Sequence, residues 1–200
     1  MTKENIIIMI TGYWGKDLVN ESGFSKLYWG FLFIMVDFRI QGFDILPDII
    51  GYIFFAAGFS ILAENSAYFK KAGYINIPMI ILSAFSIYEK PAQGGGIQLG
   101  PLGLFGILIA IASLVSGLLV VYNLFMGIKE MAEKREQMDI YEEADKRWNQ
   151  YLLLQLAAIL AFVLIFIPPL AIVYIFVMFI VSIVLTVIIM QFMKRCGECL

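Results

Sequence analysis

The sequence predicts an all-α, polytopic membrane protein with six transmembrane helices and both termini in the cytoplasm. Of its 200 residues 61% are hydrophobic and only 15% are charged, whereas soluble domains carry about 25% charged residues. The mean hydropathy is +0.86, and the apolar residues are concentrated in long runs. Runs of this kind are typical of helices that have lipid as their solvent.

Four apolar runs are long enough to predict membrane spans directly, because a helical span needs about 20 residues. They cover residues 46–63, 102–128, 151–167 and 170–193. Pro47 suits the first turn of its helix, and Pro168-Pro169 predicts a tight turn between the last two helices. Two shorter runs, residues 25–40 and 75–89, are typical either of short spans or of interfacial helices.

The distribution of lysine and arginine decides between these alternatives. With six spans, one side of the membrane receives twelve of the 14 basic residues, and the other side receives Arg39 and Lys90 alone. Omitting either short segment evens out the distribution, so the bias favours six spans with the basic side in the cytoplasm. Residues 1–24 are then a cytoplasmic or interfacial segment, 129–149 a cytoplasmic helical loop and 194–200 a cytoplasmic tail. The basic side holds Lys3, Lys16, Lys26, Lys70, Lys71, Lys129, Lys134, Arg135, Lys146, Arg147, Lys194 and Arg195.

Composition argues against several kinds of function. The chain has no histidine, which removes the commonest general base and metal ligand, and we predict neither catalytic residues nor a cofactor. With a net charge of −2, the chain as a whole lacks the excess of positive charge that is typical of nucleic-acid-binding proteins. Membrane lipids are the expected partners. Loop 129–149, with i,i+4 ion pairs such as Glu142–Lys146, is either a charged extension of the flanking spans or a docking surface for a protein partner or a second copy.

An acidic cluster follows the first predicted span on the outer side. It consists of Asp37, Arg39, Asp44 and Asp48. One interpretation is a capped, salt-bridged hairpin, with Asp48 in a first helical turn where the macrodipole favours a carboxylate. The other is a vestibule for a cation or a substrate, because ionisable residues near membrane depth often mark pathways and carboxylates bind hard cations.

The fourth span carries small residues at alternating spacings of three and four. These are Gly103, Gly106, Ala110, Ser113 and Gly117. Small residues allow close approach of helix backbones in membranes, so the pattern predicts a packing seam. The partner helix can belong to this chain, which is the default expectation, or to a second copy. Asn123 and Gln155 are predicted to form interhelical hydrogen bonds.

The C-terminal Cys196-Gly-Glu-Cys199 is a C-x-x-C pair. A closed zinc site needs four ligands, so a metal would have to be shared between two copies. The alternatives are an ordinary tail or a redox or lipid-attachment site.

The run Gly42-Phe-Asp-Ile-Leu-Pro-Asp-Ile-Ile-Gly-Tyr52 lies between an aromatic-rich helix and Tyr68-Phe69-Lys70-Lys71. Over roughly residues 27–72 it resembles a segment found in uncharacterised small multi-pass membrane proteins of Gram-positive bacteria. The resemblance implies a bacterial plasma membrane and a shared hairpin, and it carries over no catalytic residues.

Three functions follow as hypotheses. Packing signals without catalytic ones favour a non-enzymatic accessory or interaction component of the membrane. The outer acidic cluster allows a small-solute or ion transporter. An intramembrane enzyme using a metal at Asp37, Asp44 and Asp48 is the least favoured.

Overall fold

The fold is all-helical, as predicted. A computed structural model describes residues 3–35, 39–40, 43–44, 48–85, 104–164 and 167–200. Within these residues there are six helices and one short antiparallel ladder that pairs Arg39 with Asp44 and Ile40 with Phe43. The elements are α1 (Lys3–Met35), β1 (Arg39–Ile40), β2 (Phe43–Asp44), α2 (Asp48–Leu62), α3 (Ala67–Phe85), α4 (Leu104–Lys134), α5 (Met138–Leu164) and α6 (Pro168–Cys199).

Several helices extend beyond the apolar runs that indicated them. Helix α1 begins at Lys3 and ends at Met35, whereas the sequence predicted a separate N-terminal segment and a span over 25–40. Helix α3 begins at Ala67 instead of residue 75. Segment 129–149 consists of the end of α4, a turn at 135–137 and the start of α5. Lysine, glutamate and arginine are good helix formers, so a helix continues where hydropathy falls.

The helices form a closed ring. Each helix packs against its neighbours in sequence, and α6 packs back against α1. The interior is rich in large aromatic side chains that are almost completely buried: Phe24, Phe31, Phe55, Phe59, Phe69, Phe125 and Phe192.

Helices α1 and α2 approach each other closely; they run antiparallel and meet through two pairs of glycines. A Cβ atom on Gly51 would lie 2.9 Å from the carbonyl oxygen of Gly30, and one on Gly58 would lie 3.0 Å from that of Gly23. The glycines are seven residues apart on each helix, so they repeat on the same face. Backbones at this distance allow Cα–H···O=C contacts between the helices.

The outer surface of α4, α5 and α6 is strongly apolar. By length and composition two helices of the described chain are able to cross a membrane, over Leu108–Lys134 and Pro168–Cys199. On α6 the exposed apolar residues occur on nearly every side over more than four turns. They are Leu170, Ile172, Val173, Ile175, Phe176, Val177, Phe179, Ile180, Val181, Ile183, Val184 and Val187.

Candidate functional site: the polar end of the bundle

One end of the bundle, which we call the polar end, is held together by a network of amide side chains. It brings together α1, the α2–α3 turn, the α4–α5 turn and the end of α6. Asn20 Nδ2 donates to the main-chain oxygen of Leu200 at 2.8 Å, and Asn65 Nδ2 donates to Asn20 Oδ1 at 2.8 Å. Lys134 Nζ then donates to the carbonyl oxygen of Asn65 at 3.1 Å. Because Asn20 is buried, these hydrogen bonds satisfy groups that would otherwise be costly to bury.

Ion pairs reinforce this network where α4 turns into α5. Arg135 Nη2 lies 3.0 Å from Asp17 Oδ1 and so connects the turn to α1. Glu130 accepts hydrogen bonds from Lys134 Nζ, at 2.6 Å, and from the Ser66 hydroxyl. These two donors hold the pKa of the Glu130 carboxyl below its ordinary value, because they stabilise the ionised form.

A second group of ion pairs joins α5 to α6. Arg195 donates to Asp139 Oδ2 at 2.8 Å and to Glu143 Oε2 at 2.5 Å. Glu143 also accepts from Arg147 on its own helix at 2.6 Å. Many charges of segment 129–149 are therefore paired within this chain, and the segment is part of the bundle.

Lys129, at the start of the charged part of α4, contacts α5. Its Nζ donates to Asp145 Oδ1 at 2.6 Å and lies 4.5 Å from the centre of the Tyr141 ring. The hydrogen bond with Asp145 raises the pKa of Lys129, since it favours the protonated amine. The side chains of this segment that are exposed to solvent are Glu133, Lys134, Glu136, Met138, Asp139, Glu142, Lys146 and Asn149.

The predicted outer cluster lies at the other end of α1 and α2. Asp37 is outside the described residues. Arg39 and Asp44 are Cα partners in the ladder, and Asp48 occupies the first turn of α2, where a carboxylate interacts favourably with the helix dipole. Among the residues that the structure describes, no group of three or more Asp, Glu, Cys or His is placed to hold a metal ion.

Of the predicted seam on α4, the structure describes the surroundings of Ala110, Ser113 and Gly117. Gly103 is outside the described residues, and for Gly106 only the helical backbone is described. Ala110 is exposed and Ser113 is half-buried, while a Cβ on Gly117 would have no heavy atom within 4 Å. Glycines that do pack closely include Gly30 and Gly51 between α1 and α2, and Gly127 of α4, where a Cβ would lie 2.8 Å from the Phe69 ring. The sequence interpretation did not identify the α1–α2 pairs because their glycines are seven residues apart on each helix and do not form a run at spacings of three and four.

Among the described residues, Asn123 and Gln155 form hydrogen bonds within their own helices, whereas the sequence predicted interhelical ones. Asn123 Nδ2 donates to the Leu119 carbonyl oxygen at 2.7 Å, and Gln155 Nε2 donates to Tyr151 Oη at 3.0 Å. Both partners lie four residues earlier on the same helix, which a polar side chain reaches without a second helix.

The two cysteines have different surroundings. Cys196 is buried and Cys199 is exposed. Burial raises the pKa of the Cys196 thiol, and the nearby Glu143 carboxylate acts in the same direction. A metal shared between copies would need the Cys196 thiolate, so this thiol would have to leave the core.

Two hollows in the bundle were not predicted from the sequence. A cavity of about 510 Å³ lies between α1, α5 and α6, and Tyr151, Gln155 and Ser182 provide its polar groups. A groove of about 240 Å³ lies between α1 and α6 at the polar end. Both are formed by helices that are far apart in the sequence, so sequence patterns could not predict them.

Comparison with known proteins finds no matching family model, and no curated protein or solved structure shows significant similarity to this chain.

Proposed function

We propose that the chain is an integral membrane protein with six spans and a cytoplasmic polar end, and that it is a non-enzymatic accessory or interaction component of a bacterial plasma membrane. The observation that carries the proposal is the apolar outer surface of α4–α6, on which side chains such as Phe176 are 64% exposed. Soluble monomers rarely expose a contiguous apolar surface of this extent. Lipid or other transmembrane helices are its natural partners.

Exposed and half-buried aromatic residues support a bilayer boundary near the polar end. Trp29, Tyr74 and Tyr122 are exposed on three different helices, and the Trp148 ring packs edge-on against Tyr122. All four lie about two to three helical turns from the polar end. Tryptophan and tyrosine are enriched at membrane–water interfaces, which explains why they occur at a common depth.

Topology is tested by labelling single cysteines with a membrane-impermeant maleimide in intact cells and in opened cells. The background is Cys196→Ala with Cys199→Ser, to which Gln41→Cys or Gly95→Cys is added, and Cys196→Ala alone retains Cys199 as the marker of the polar end. We expect labelling at positions 41 and 95 in intact cells, and at position 199 only after opening. Protection of position 41 in intact cells would instead make α1–α2 a re-entrant hairpin and reduce the spans to four.

The position-41 measurement is needed because α2 is short. It has 15 residues and is therefore about 22 Å long, whereas the hydrocarbon core of a bilayer is about 30 Å thick. A crossing by this hairpin therefore requires local thinning of the bilayer or further length from the residues between α1 and α2.

Two exposed surfaces are available for partners. One is the seam face of α4 around Ala110 and Gly117, where small residues permit close approach of another helix. The other is the predominantly acidic surface of segment 129–149, which includes Glu133, Glu136 and Glu142. The interaction proposal assigns a membrane helix to the first surface and an aqueous protein partner to the second.

Photo-crosslinking in native membranes tests the interaction proposal. A photoreactive residue replaces Ala110 or Glu136 and, as the matched control, Leu124, which is buried. We expect a discrete adduct, with a partner or with a second copy, from at least one exposed position and none from position 124. If neither exposed position gives an adduct, the interaction proposal fails.

The cavity between α1, α5 and α6 supports transport as a second candidate. Its volume of about 510 Å³ is within the range of small-molecule sites. Flux of Na⁺ and K⁺ into liposomes is compared for wild type, Asp44→Asn, Asp48→Asn and Gln155→Leu. Flux above empty liposomes that falls in Gln155→Leu supports this candidate. Fluxes equal to those of empty liposomes oppose transport of these ions. A metal-dependent enzyme at Asp37, Asp44 and Asp48 stays the least favoured hypothesis.

A further inference from the structure

The groove between α1 and α6 combines both signs of charge with aromatic surface. It has a volume of about 240 Å³, and its walls include Glu21, Tyr28 and Trp29 on α1 and Lys194 and Glu198 on α6. The Tyr28 and Trp29 rings meet edge-on, with centroids 5.4 Å apart. A cleft of this composition is suited to a small ligand that carries both a positive and a negative charge.

Gly197 leaves room for the groove. A Cβ at this position would lie 3.4 Å from the Phe24 Cβ and 3.5 Å from the Glu21 Cα, in ordinary contact. An alanine would therefore fit here. Because Gly197 lines the groove, a longer side chain at this position would occupy part of its volume.

The charges in the groove are available for a ligand. Lys194 and Glu198 are one turn apart on α6, and their side chains are 73% and 58% exposed. Lys194 Nζ lies 3.9 Å from Glu198 Oε1, a separation at which an exposed pair contributes little. Glu21 faces them from α1 and is also exposed. A ligand anion beside Lys194 and a ligand cation beside the two carboxylates would complement this pattern.

Exposed apolar residues lie farther along α6 from the groove, on the face that carries Lys194. Successive steps of four, three and four residues lead from Lys194 through Met190 and Val187 to Ile183, so these residues share one face of α6. Val187 and Ile183 are 47% and 37% exposed. Trp29, which is characteristic of the interface, lies at the transition. A ligand with a polar head and an apolar tail fits both parts.

We propose that this groove binds the head group of a phospholipid that carries a primary ammonium group, of the phosphoethanolamine type. Lys194 binds the phosphate, Glu21 and Glu198 accept hydrogen bonds from the ammonium group, and Trp29 contributes a cation–π contact. The acyl chains follow Val187 and Ile183 into the bilayer. This proposal rests on the membrane embedding of the proposed function.

The two carboxylates favour this head group over its common relatives. An anionic glycerol head group has no cation to offset repulsion from Glu21 and Glu198. A choline head group has a cation but no N–H donors, so it cannot form charge-assisted hydrogen bonds with the carboxylates. The expected order of affinity is therefore phosphoethanolamine, then phosphocholine, then phosphoglycerol.

Native mass spectrometry of the detergent-purified chain tests the proposal with three lipids that share the same acyl chains and differ in these head groups. We expect wild type to bind the ethanolamine lipid about tenfold more tightly than the glycerol lipid, a difference of about 1.4 kcal/mol. Glu21→Gln with Glu198→Gln should remove this preference, and Lys194→Gln should weaken binding of all three lipids. Glu64→Gln, an exposed carboxylate outside the groove, is the matched control and should behave as wild type.

The possible failures are distinguishable. Equal binding of the lipids by wild type, or an unchanged preference in the double variant, overturns the head-group proposal. Retention in vesicles after an alkaline carbonate wash is measured first on the same preparation. Release by the wash overturns membrane embedding and the head-group proposal with it, whereas retention without a lipid preference overturns the head-group proposal alone.

Discussion

At the scale of single residues, the close contact between α1 and α2 depends on glycine. In Gly51→Ala the new Cβ would lie 2.5 Å from Ile34 Cγ1 and 2.9 Å from the Gly30 carbonyl oxygen. Because backbone cannot move aside as a side-chain tip can, we expect this change to lower the free energy of unfolding by about 1–3 kcal/mol. Thermal and denaturant unfolding in detergent measure it.

Gly117→Ala is the matched control for that prediction. Its Cβ meets nothing within 4 Å, and alanine is favoured over glycine in a helix by up to about 1 kcal/mol. We expect a neutral or stabilising effect in the monomer. Equal destabilisation by the two changes would contradict the assignment of the tight contact to α1 and α2.

Glu130 gives a prediction about pH. Hydrogen bonds from Lys134 and Ser66 lower its pKa below the ordinary value of 4.5. The resulting stabilisation is present above pH 4.5 and is lost as the pH falls through the lower pKa of the folded state. Melting temperatures in detergent should therefore fall more steeply below pH 4.5 in wild type than in Glu130→Gln. Glu133→Gln, an exposed neighbour, should retain the wild-type slope, and parallel curves for all three proteins would contradict the prediction.

The residues that close the polar end were not predictable from sequence patterns. Asn65 and Asn20 are 45 positions apart, and Asn20 and Leu200 are 180 apart. Periodicity and capping rules act over a few residues, so they identify neither partner. Asp48 is different, because its place in a first helical turn depends only on local sequence, and the structure has it there.

At the scale of helices, the end of α6 is fastened to α5 by Arg195, which binds both Asp139 and Glu143. This contact lies beside Cys196, which is buried. We expect Arg195→Gln to loosen the last turns of α6 and to accelerate maleimide labelling of Cys196 several-fold, because local opening controls access to a buried thiol. Mass spectrometry after timed labelling resolves the two cysteines.

Cys199 provides the internal reference in this experiment. It is exposed, so its labelling rate should be nearly the same in wild type and variant. Lys146→Gln removes an exposed charge of α5 away from this contact and should leave both rates unchanged. If Cys196 is labelled as slowly in Arg195→Gln as in wild type, the ion pairs of Arg195 do not contribute to holding the last turns of α6.

Hydropathy located the helices better than their ends. The break between the last two helices was predicted from Pro168-Pro169, and α6 begins at Pro168. This prediction succeeds because proline acts locally on the backbone. Hydropathy placed the start of α3 eight residues late, since Tyr68, Lys70 and Lys71 are helical but not apolar. A continuous helix over Lys3–Met35 was missed for the same reason: a scale that measures transfer to lipid has no information on polar helical turns.

At the scale of the whole molecule, the helices form a short half and a long half. The 15 residues of α2 and 19 of α3 correspond to about 22 and 28 Å, whereas the 32 residues of α6 correspond to about 48 Å. Since each of these helices has one terminus near the polar end, the described parts of α4–α6 project beyond those of α2 and α3 at the other end. In the proposed membrane embedding, the apolar α4–α6 half sets the position of the bilayer, and α1–α3 adapt to it.

Tryptophan fluorescence measures that position. In Trp14→Phe with Trp148→Phe, Trp29 is the one remaining tryptophan, and lipids brominated at different depths quench it in vesicles. We expect the strongest quenching from bromine close to the head groups, because Trp29 lies where the exposed surface of α6 changes from Val187 to Gln191 and Lys194.

The reciprocal variant, Trp14→Phe with Trp29→Phe, should place Trp148 at a similar depth on the opposite side of the ring. If both tryptophans are quenched most strongly by bromine near the chain ends, the boundary lies closer to the polar end. In that case more of the α1–α2 hairpin lies within the bilayer, although α2 is still shorter than the hydrocarbon core.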